Sequence, residues 1–168
     1  MSNWVGIIHV GLATLFAFYG LLFKKNKLDL IYLFIMYFLL LHWTFLNGEC
    51  VITYVVKLQE NPDYKAGENA KNTDMEEVYP NEFLKTWFPM ITNITWVISI
   101  YLVFLRNKIG SIYCGIFLYL YVIYKLASKY MLPHNTNSVF LQTQEITKYS
   151  LILYGIFFLP ILFKRFMK

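Results

Sequence analysis

The side chains best suited to chemistry follow directly on a strongly apolar run. Every residue in 30–41 is apolar or aromatic, and His42 and Glu49 come next. On a continuous helix, His42, Glu49 and Thr53 fall within about 40° of one another, with Cys50 to one side. Ionisable side chains on an apolar helix are costly to place in a membrane and usually mark a functional site. The spacing therefore predicts a polar stripe that carries the function.

A second histidine and a lysine are expected at similar depths. A tight turn joins the first two apolar runs, so His9 should lie within about one helical turn of His42, and Lys125 near the level of Glu49. Histidine titrates in the physiological pH range, so the pair could bind or exchange a proton or cation. The alternative is structural: Glu49 reaches the interface or pairs with Lys125, and each histidine hydrogen-bonds a hydroxyl. Three hydroxyls on one face of the third run complete the predicted site: Thr92, Thr95 and Ser99.

Metal and enzyme chemistry find less support in the sequence. Zinc ligands must converge at about 2.0–2.3 Å, whereas His42, Glu49 and Cys50 on one helix span more than about 10 Å. His9 and His42 with a third group are the remaining metal option. The chain has no Cys-x-x-Cys, His-Glu-x-x-His, glycine-rich phosphate loop or Ser-His-Asp set. We therefore expect no metal, no cofactor and no enzyme activity.

The composition is typical of a membrane protein. Of the 168 residues, 58% are hydrophobic and 15% are charged, against about 45–50% and about 25% in soluble domains. Mean hydropathy is +0.47. The net charge of +5 does not indicate nucleic-acid binding, because the basic residues cluster after apolar runs, where they orient a membrane protein. No nucleic-acid partner is expected.

Five apolar runs approach the length of a bilayer span, which is about 20 residues. They predict an all-α polytopic membrane protein, a bundle of five transmembrane helices in one domain. Lysines follow the first run instead of preceding it, so we interpret that run as a retained helix and not a signal peptide. A polar loop, 59–85, carries seven acids and is interpreted as a solvated connector rather than a binding lid. The predicted spans are 4–23, 30–56, 87–105, 109–132 and 147–163, with Ser138 as a candidate cap before the last.

The basic clusters set the expected orientation. Five spans put the chain ends on opposite sides, and one side then carries eight lysines and arginines with Asp29 as its only acid. The positive-inside rule makes that side cytoplasmic and places the N-terminus and the acidic loop outside. Cys50 then lies near the outer interface and Cys114 near the inner one. Because a disulfide needs Cα atoms within about 7 Å, we expect two free thiols.

One stretch carries a resemblance to known proteins. His42-Trp43, followed by Asn47-Gly48-Glu49-Cys50-Val51-Ile52-Thr53, resembles a stretch in small uncharacterised multi-pass membrane proteins of giant DNA viruses. Cys50-Val51-Ile52-Thr53 is also similar to the Cys-Pro-Leu-Thr helix of a bacterial membrane family of unknown function. The chain departs from that family at Val51, in place of proline, and at Val56, in place of an acid. The resemblance implies a membrane class and a viral source, but no activity.

The leading functional hypothesis from sequence is a small channel or transporter for protons or cations, using the His/Glu stripe. The alternative is a non-catalytic structural or assembly subunit of a larger viral or organellar membrane complex. Five short helices make a thin bundle, so either role implies a homo-oligomer or partner membrane subunits in the lipid bilayer. A hydrated path reaching His42 would favour transport, and a wide apolar face covered by other chains would favour the subunit.

Overall fold

The computed structural model describes residues 4–68, 73–79, 81–130 and 138–167. All regular structure in these ranges is helical. The helices are α1 (Trp4–Leu22), α2 (Leu28–Phe45), α3 (Val51–Glu60), α4 (Thr73–Glu76), α5 (Glu82–Arg106), α6 (Ser111–Tyr130) and α7 (Ser138–Phe166).

The five long helices alternate in direction. At one end, here called the polar end, His9 of α1 contacts Cys50, and Gln144 of α7 contacts Asn47 just after α2. At the other end, here called the basic end, Arg106 of α5 contacts the start of α2, and α7 finishes against the α5–α6 turn. Thus α1, α5 and α7 run from the polar end to the basic end, while α2 and α6 run back.

Four helices are long and apolar enough to cross a membrane: α1, α2, α5 and α7. In α6 the corresponding apolar stretch is shorter, Ser111–Ala127. A multi-pass membrane location follows from this composition. The prediction of a helical polytopic bundle agrees with these helices at this coarser level, while the fifth span stays a prediction.

The second predicted span, 30–56, is wrong as a single helix. α2 ends at Phe45, and a turn separates it from α3. Asn47 and Gly48 adopt the left-handed backbone region, with φ of 50° and 86°. Asparagine and glycine tolerate this conformation best, and it terminates helices. The Asn-Gly pair in the polar run is therefore the signal that ends α2. Because His42 and Thr53 lie on different helices and Glu49 lies between them, the predicted stripe on one helix face is wrong.

Two other helices begin earlier than their predicted spans. α5 starts at Glu82, because the side chain of Asn81 caps it by accepting the Leu84 N–H at 2.9 Å. Pro89 therefore lies inside α5, in its second turn. α7 is continuous from Ser138, so the segment that begins at this candidate cap and the predicted last span form one helix. The predicted end of the fourth span, 131–132, lies outside the described residues.

Aromatic and aliphatic side chains fill the interior between the two ends. Leu33, Ile100, Val103 and Phe104 are at most 1% exposed. An aromatic row on α6 packs against this core. Three of its four members, Phe117, Tyr121 and Tyr124, are buried, and Tyr113 is partly buried. Between α5 and α7, Phe104 stacks on Phe158 with ring centroids 5.7 Å apart. Packing of these rings fixes α2, α5, α6 and α7 around one core.

Asp29 holds the basic end together. Its carboxylate is fully buried and accepts from Arg106 Nε at 2.8 Å, Asn107 Nδ2 at 2.7 Å and the Tyr19 hydroxyl at 3.0 Å. A second bond comes from the Arg106 guanidinium, which also donates to the carbonyl of Gly20 at 3.2 Å. One carboxylate therefore ties together α1, α2 and the end of α5.

Replacing Asp29 with alanine should lower the free energy of unfolding by about 2–4 kcal/mol, because the partly buried Arg106 loses its counter-charge and the buried Asn107 amide loses its acceptor. Unfolding in detergent, followed by tryptophan fluorescence, would measure this. The exposed loop residue Asp63 supplies the control, and Asp63→Ala should leave the unfolding transition in place. Equal effects of the two substitutions would contradict a structural role for the Asp29 cluster.

Candidate active site

Cys50, His9 and Asp74 are joined through the two nitrogens of one imidazole. His9 Nε2 lies 3.2 Å from the Sγ of Cys50, and its Nδ1 lies 2.7 Å from Oδ2 of Asp74. The three residues come from the N-terminus of α3, from α1 and from α4. A nucleophile next to a base that a carboxylate orients is the arrangement used in nucleophilic catalysis. His9 was predicted from the sequence as a site residue, whereas Asp74 and the contact between His9 and Cys50 were not.

Asp74 reaches His9 because α4 packs directly on α1. Gly6 permits this approach, since a Cβ there would overlap the backbone carbonyl of Asp74. Asp74 is buried, and its Oδ1 accepts from the Thr53 hydroxyl at 2.7 Å. Met75 is buried beside it. The prediction of a solvated connector is therefore wrong for α4, which covers the site.

The surroundings of Asp74 favour its charged form. Burial raises its pKa, but hydrogen bonds with His9 and Thr53 and the charge of His9 outweigh burial. The net effect holds the pKa of Asp74 below its ordinary 3.8. An ionised Asp74 accepts the Nδ1–H of His9. This bond orients the imidazole so that Nε2 faces the thiol of Cys50.

Cys50 lies where a thiol ionises easily. It is the N-cap residue of α3, and helix N-termini favour negative charge. Burial raises its pKa, but hydrogen bonds with His42 and His9 and the charge of His9 lower it from 9.0 to about 6. His42 is held near by the Val51 N–H, which donates to its Nε2 at 3.4 Å. At neutral pH the group is therefore mainly a thiolate.

A cavity of about 290 Å³ opens beside Cys50 and His9. Two tryptophans form part of its wall: Trp43 and Trp96 stack with centroids 5.6 Å apart. Lys125 Nζ lies 3.6 Å from the centroid of the Trp43 ring, a cation–π contact. Other residues that line the cavity include Gly48, Tyr79, Lys85, Phe88, Thr92 and Asn93. The cavity thus combines aromatic surface, two lysines and the acid Glu76 next to the thiol of Cys50, and Lys85 is also paired with Glu82 at 2.6 Å.

One hydroxyl of the cavity wall has no partner among the described residues. The hydroxyl oxygen of Tyr79 is buried without a hydrogen bond. Burial and the charges of Asp74 and Glu76 raise the pKa of Tyr79 to about 12. Tyr79 therefore stays protonated at neutral pH and can donate to a ligand in the cavity.

Glu49 is not part of this cluster. Its carboxylate is fully buried and pairs with the ammonium of Lys57. It also accepts from the Tyr64 hydroxyl at 2.8 Å and from the Gly67 N–H at 3.2 Å. The expected pairing with Lys125 is therefore wrong, because the turn after α2 directs Glu49 towards α3 and the following loop. Its position is that of a structural anchor for the loop.

Glu49→Gln and Lys57→Met should each lower the free energy of unfolding by about 3–5 kcal/mol, since each leaves a buried charge without its partner. The double substitution should cost much less than the sum, because both charges are then gone. Denaturant unfolding of the four proteins gives this cycle. Glu145→Gln removes one charge of the partly exposed Glu145–Lys148 pair and should leave the transition in place. Additive losses at positions 49 and 57 would contradict the pairing.

The three hydroxyls predicted on α5 do not form a polar path. Thr92 donates to the carbonyl of Phe88 at 2.9 Å, and Thr95 to that of Ile91 at 2.9 Å. Ser99 is fully buried and accepts from the backbone N–H of Gly20, where α1 and α5 are in close contact. Thr92 and Thr95 thus bond within α5, and Ser99 joins two helices. Of the three, Thr92 lines the cavity.

Comparisons with known proteins give no homologue from which a function for this site could be taken. The chain has no significant match among protein-family models, curated proteins or solved structures. The proposed viral resemblance thus stays a prediction. In the part of the chain that the structure describes, no three His, Cys, Asp or Glu side chains converge as a metal site.

Proposed function

We propose that this protein is a membrane-embedded enzyme that transfers or hydrolyses acyl groups. In this proposal Cys50 is the nucleophile, His9 the general base and acid, and Asp74 the residue that orients His9. The observation that supports it best is the bridging position of His9, 3.2 Å from Cys50 Sγ and 2.7 Å from Asp74 Oδ2. The expectation of a non-enzymatic protein rested on the absence of a linear motif, and a site assembled from separate segments leaves no such motif.

The chemistry follows from these positions. The thiolate of Cys50 attacks the carbonyl carbon of an ester or thioester, and a C–S bond forms. The tetrahedral intermediate expels the alcohol or thiol, which takes the Nε2 proton of His9. Water or an acceptor alcohol then attacks the acyl group and gives its proton to His9, and the C–S bond breaks to restore the thiolate. Tyr79 and the N-terminus of α3 are the candidate donors to the oxyanion.

A single thiol favours acyl transfer over disulfide exchange. The chain has two cysteines, and both are free. Cys114 lies at the start of α6, at the basic end, whereas Cys50 lies at the polar end. An intramolecular disulfide would need them within about 7 Å. Disulfide chemistry at Cys50 would therefore require a thiol from another molecule, whereas acyl transfer requires only His9 and Asp74.

By the positive-inside rule, the Cys50 site lies on the outer side of the membrane. The basic end carries Arg106, Lys108, Lys164 and Arg165, so the proposed orientation puts that end in the cytoplasm and Cys50 on the opposite face. The cavity would then open near the outer leaflet. An acyl donor could enter from the lipid, with its chain against the tryptophans and its polar part near Lys85 and Lys125.

Transport is the weaker proposal for the same residues. A cation pathway needs polar groups along its length. Between the cavity and the basic end, however, the described interior is packed with Leu33, Ile100, Val103 and Phe104. The role of a structural subunit, alone or in a homo-oligomer, stays a prediction and gives no reason for a thiolate in a cavity.

An acyl-enzyme burst tests the proposed function. Purified protein in detergent is mixed with p-nitrophenyl octanoate, and p-nitrophenol is followed in the first turnover. We expect a burst close to one equivalent per protein and an octanoyl adduct on the Cys50 peptide by mass spectrometry. Cys50→Ser should lose both, and Cys114→Ser should keep them. A burst that persists in Cys50→Ser, or no adduct on wild-type Cys50, would reject the proposal.

A further inference from the structure

A second cavity, of about 480 Å³, lies at the basic end, on the opposite face of the bundle from Cys50. Three cationic side chains line it: Lys25 and Lys27 from the α1–α2 turn and Arg165 from the end of α7. Asn26 and Asn107 also line it, but their amide N–H groups already donate to the Lys24 carbonyl and to Asp29. No acidic residue is among its described lining residues. Its chemistry is that of an anion site.

The nearby acid does not neutralise these cations. Asp29 is enclosed by Arg106, Asn107 and Tyr19. Arg165 donates to the backbone carbonyl of Lys108 at 2.9 Å and to that of Asn107. These two bonds fix the guanidinium in place without removing its charge. The cavity therefore keeps its positive potential.

An apolar groove of about 290 Å³ adjoins this cavity between α2 and α7. Leu30 and Phe166 line both, so the cationic cavity and the groove are continuous. The remaining lining of the groove is Ile31, Phe34, Leu162 and Phe163. An occupant that fits both parts has a negative group at one end and a hydrocarbon chain at the other.

We propose that the cavity and the groove form one binding site for an anionic phospholipid. The lipid phosphate lies between Lys25, Lys27 and Arg165, and one acyl chain lies along the groove. Charge complementarity selects the headgroup, because anionic lipids are attracted to basic clusters at membrane surfaces. The site is separate from the Cys50 cavity and does not depend on the proposed enzyme activity.

Native mass spectrometry of the full chain in detergent would test this site. The protein is titrated with phosphatidylglycerol and, separately, with phosphatidylcholine of the same chains. We expect a single phosphatidylglycerol adduct at concentrations at least tenfold lower than for phosphatidylcholine. Glycerol phosphate at millimolar concentration should not displace the lipid, because it lacks the acyl chain. Equal binding of the two lipids, or displacement by glycerol phosphate, would overturn the proposal.

Charge variants separate a defined site from general attraction. Each lysine near an anionic surface contributes about fivefold, so Lys25→Gln with Lys27→Gln should weaken phosphatidylglycerol binding about 25-fold. The matched control is Lys24→Gln with Lys164→Gln, which removes the same charge from residues outside the cavity lining. The control should change binding less than threefold. An equal loss in both pairs would show that only net charge matters and would overturn the site.

Groove variants test the acyl-chain part. Phe163 and Phe157 lie on α7 and are 57% and 59% exposed, but only Phe163 lines the groove. Phe163→Asn should weaken phosphatidylglycerol binding about tenfold or more, and Phe157→Asn should leave it nearly unchanged. Because both side chains are exposed, neither substitution should disturb folding. Equal effects would contradict a chain bound in this groove.

Discussion

His9→Gln should abolish most acylation of Cys50. Glutamine can occupy the space of the imidazole but cannot move a proton, so the loss of base and acid should slow the octanoyl burst by about 10²–10⁴-fold at pH 7. The pKa of Cys50 should also rise from about 6 towards its ordinary 9.0, because the hydrogen bond and charge of His9 are lost. Burst rates at several pH values measure both effects.

His42→Gln is the matched control for that substitution. His42 also hydrogen-bonds Cys50, but His9 contributes both a hydrogen bond and a charge to the low pKa of Cys50, and Asp74 is bonded to His9. We therefore expect a smaller rise in the pKa of Cys50 and a burst that survives. If the burst were lost in His42→Gln and kept in His9→Gln, the general base would be His42, and the proposed role of His9 would be wrong.

Asp74→Asn should reduce the burst by about 10²–10⁴-fold at neutral pH, again because proton transfer is impaired. The amide keeps the shape of the side chain, but it cannot stabilise a protonated imidazole. The asparagine N–H can also donate to Nδ1 of His9, and the imidazole proton then resides on Nε2, which faces the thiol of Cys50. Burst kinetics give the loss, and the thermal transition in detergent shows whether α4 stays docked.

Glu77→Gln is the control for Asp74→Asn. Glu77 follows α4 and is exposed, so its substitution should leave both the burst and the thermal transition unchanged. A second check uses Gly6→Val, which should push α4 away from His9 and lower the burst while Cys50 and His9 remain present. Full activity in Asp74→Asn, with α4 still docked, would remove Asp74 from the mechanism.

The general architecture could be predicted from the sequence because it depends on apolar run length and on basic clusters. The starts of α1 and α2 were close to their expected positions for that reason. The break at Asn47-Gly48 was visible as turn chemistry but was outweighed by the apolar run before it. The earlier start of α5 depends on one side chain, Asn81. It caps the helix because the backbone at residue 81 is extended, with φ of −155° and ψ of 162°.

The candidate site was harder to predict, because its parts are far apart in the chain. Cys50 and His9 were noticed, but a helix extended through residue 50 kept the thiol away from α1. Asp74 lies in a polar loop with six other acids, and nothing in its local sequence distinguishes it. Its role depends on Gly6, which lets α4 approach the backbone of α1. Lys57 was missed as the partner of Glu49 for a similar reason: the turn after α2 redirects the carboxylate.

If the fold makes Cys50 a reactive thiolate, the pH dependence of Cys50 alkylation shows it most directly. Wild-type protein is treated with iodoacetamide from pH 4.5 to 10, and the modification of the Cys50 peptide is followed by mass spectrometry. With a pKa of about 6, Cys50 is about 90% thiolate at pH 7, compared with about 1% for a thiol of pKa 9.0. We expect a half-maximal rate near pH 6, moving upward in His9→Gln. A half-maximal rate near pH 9 in the wild type, unchanged in His9→Gln, would contradict the account.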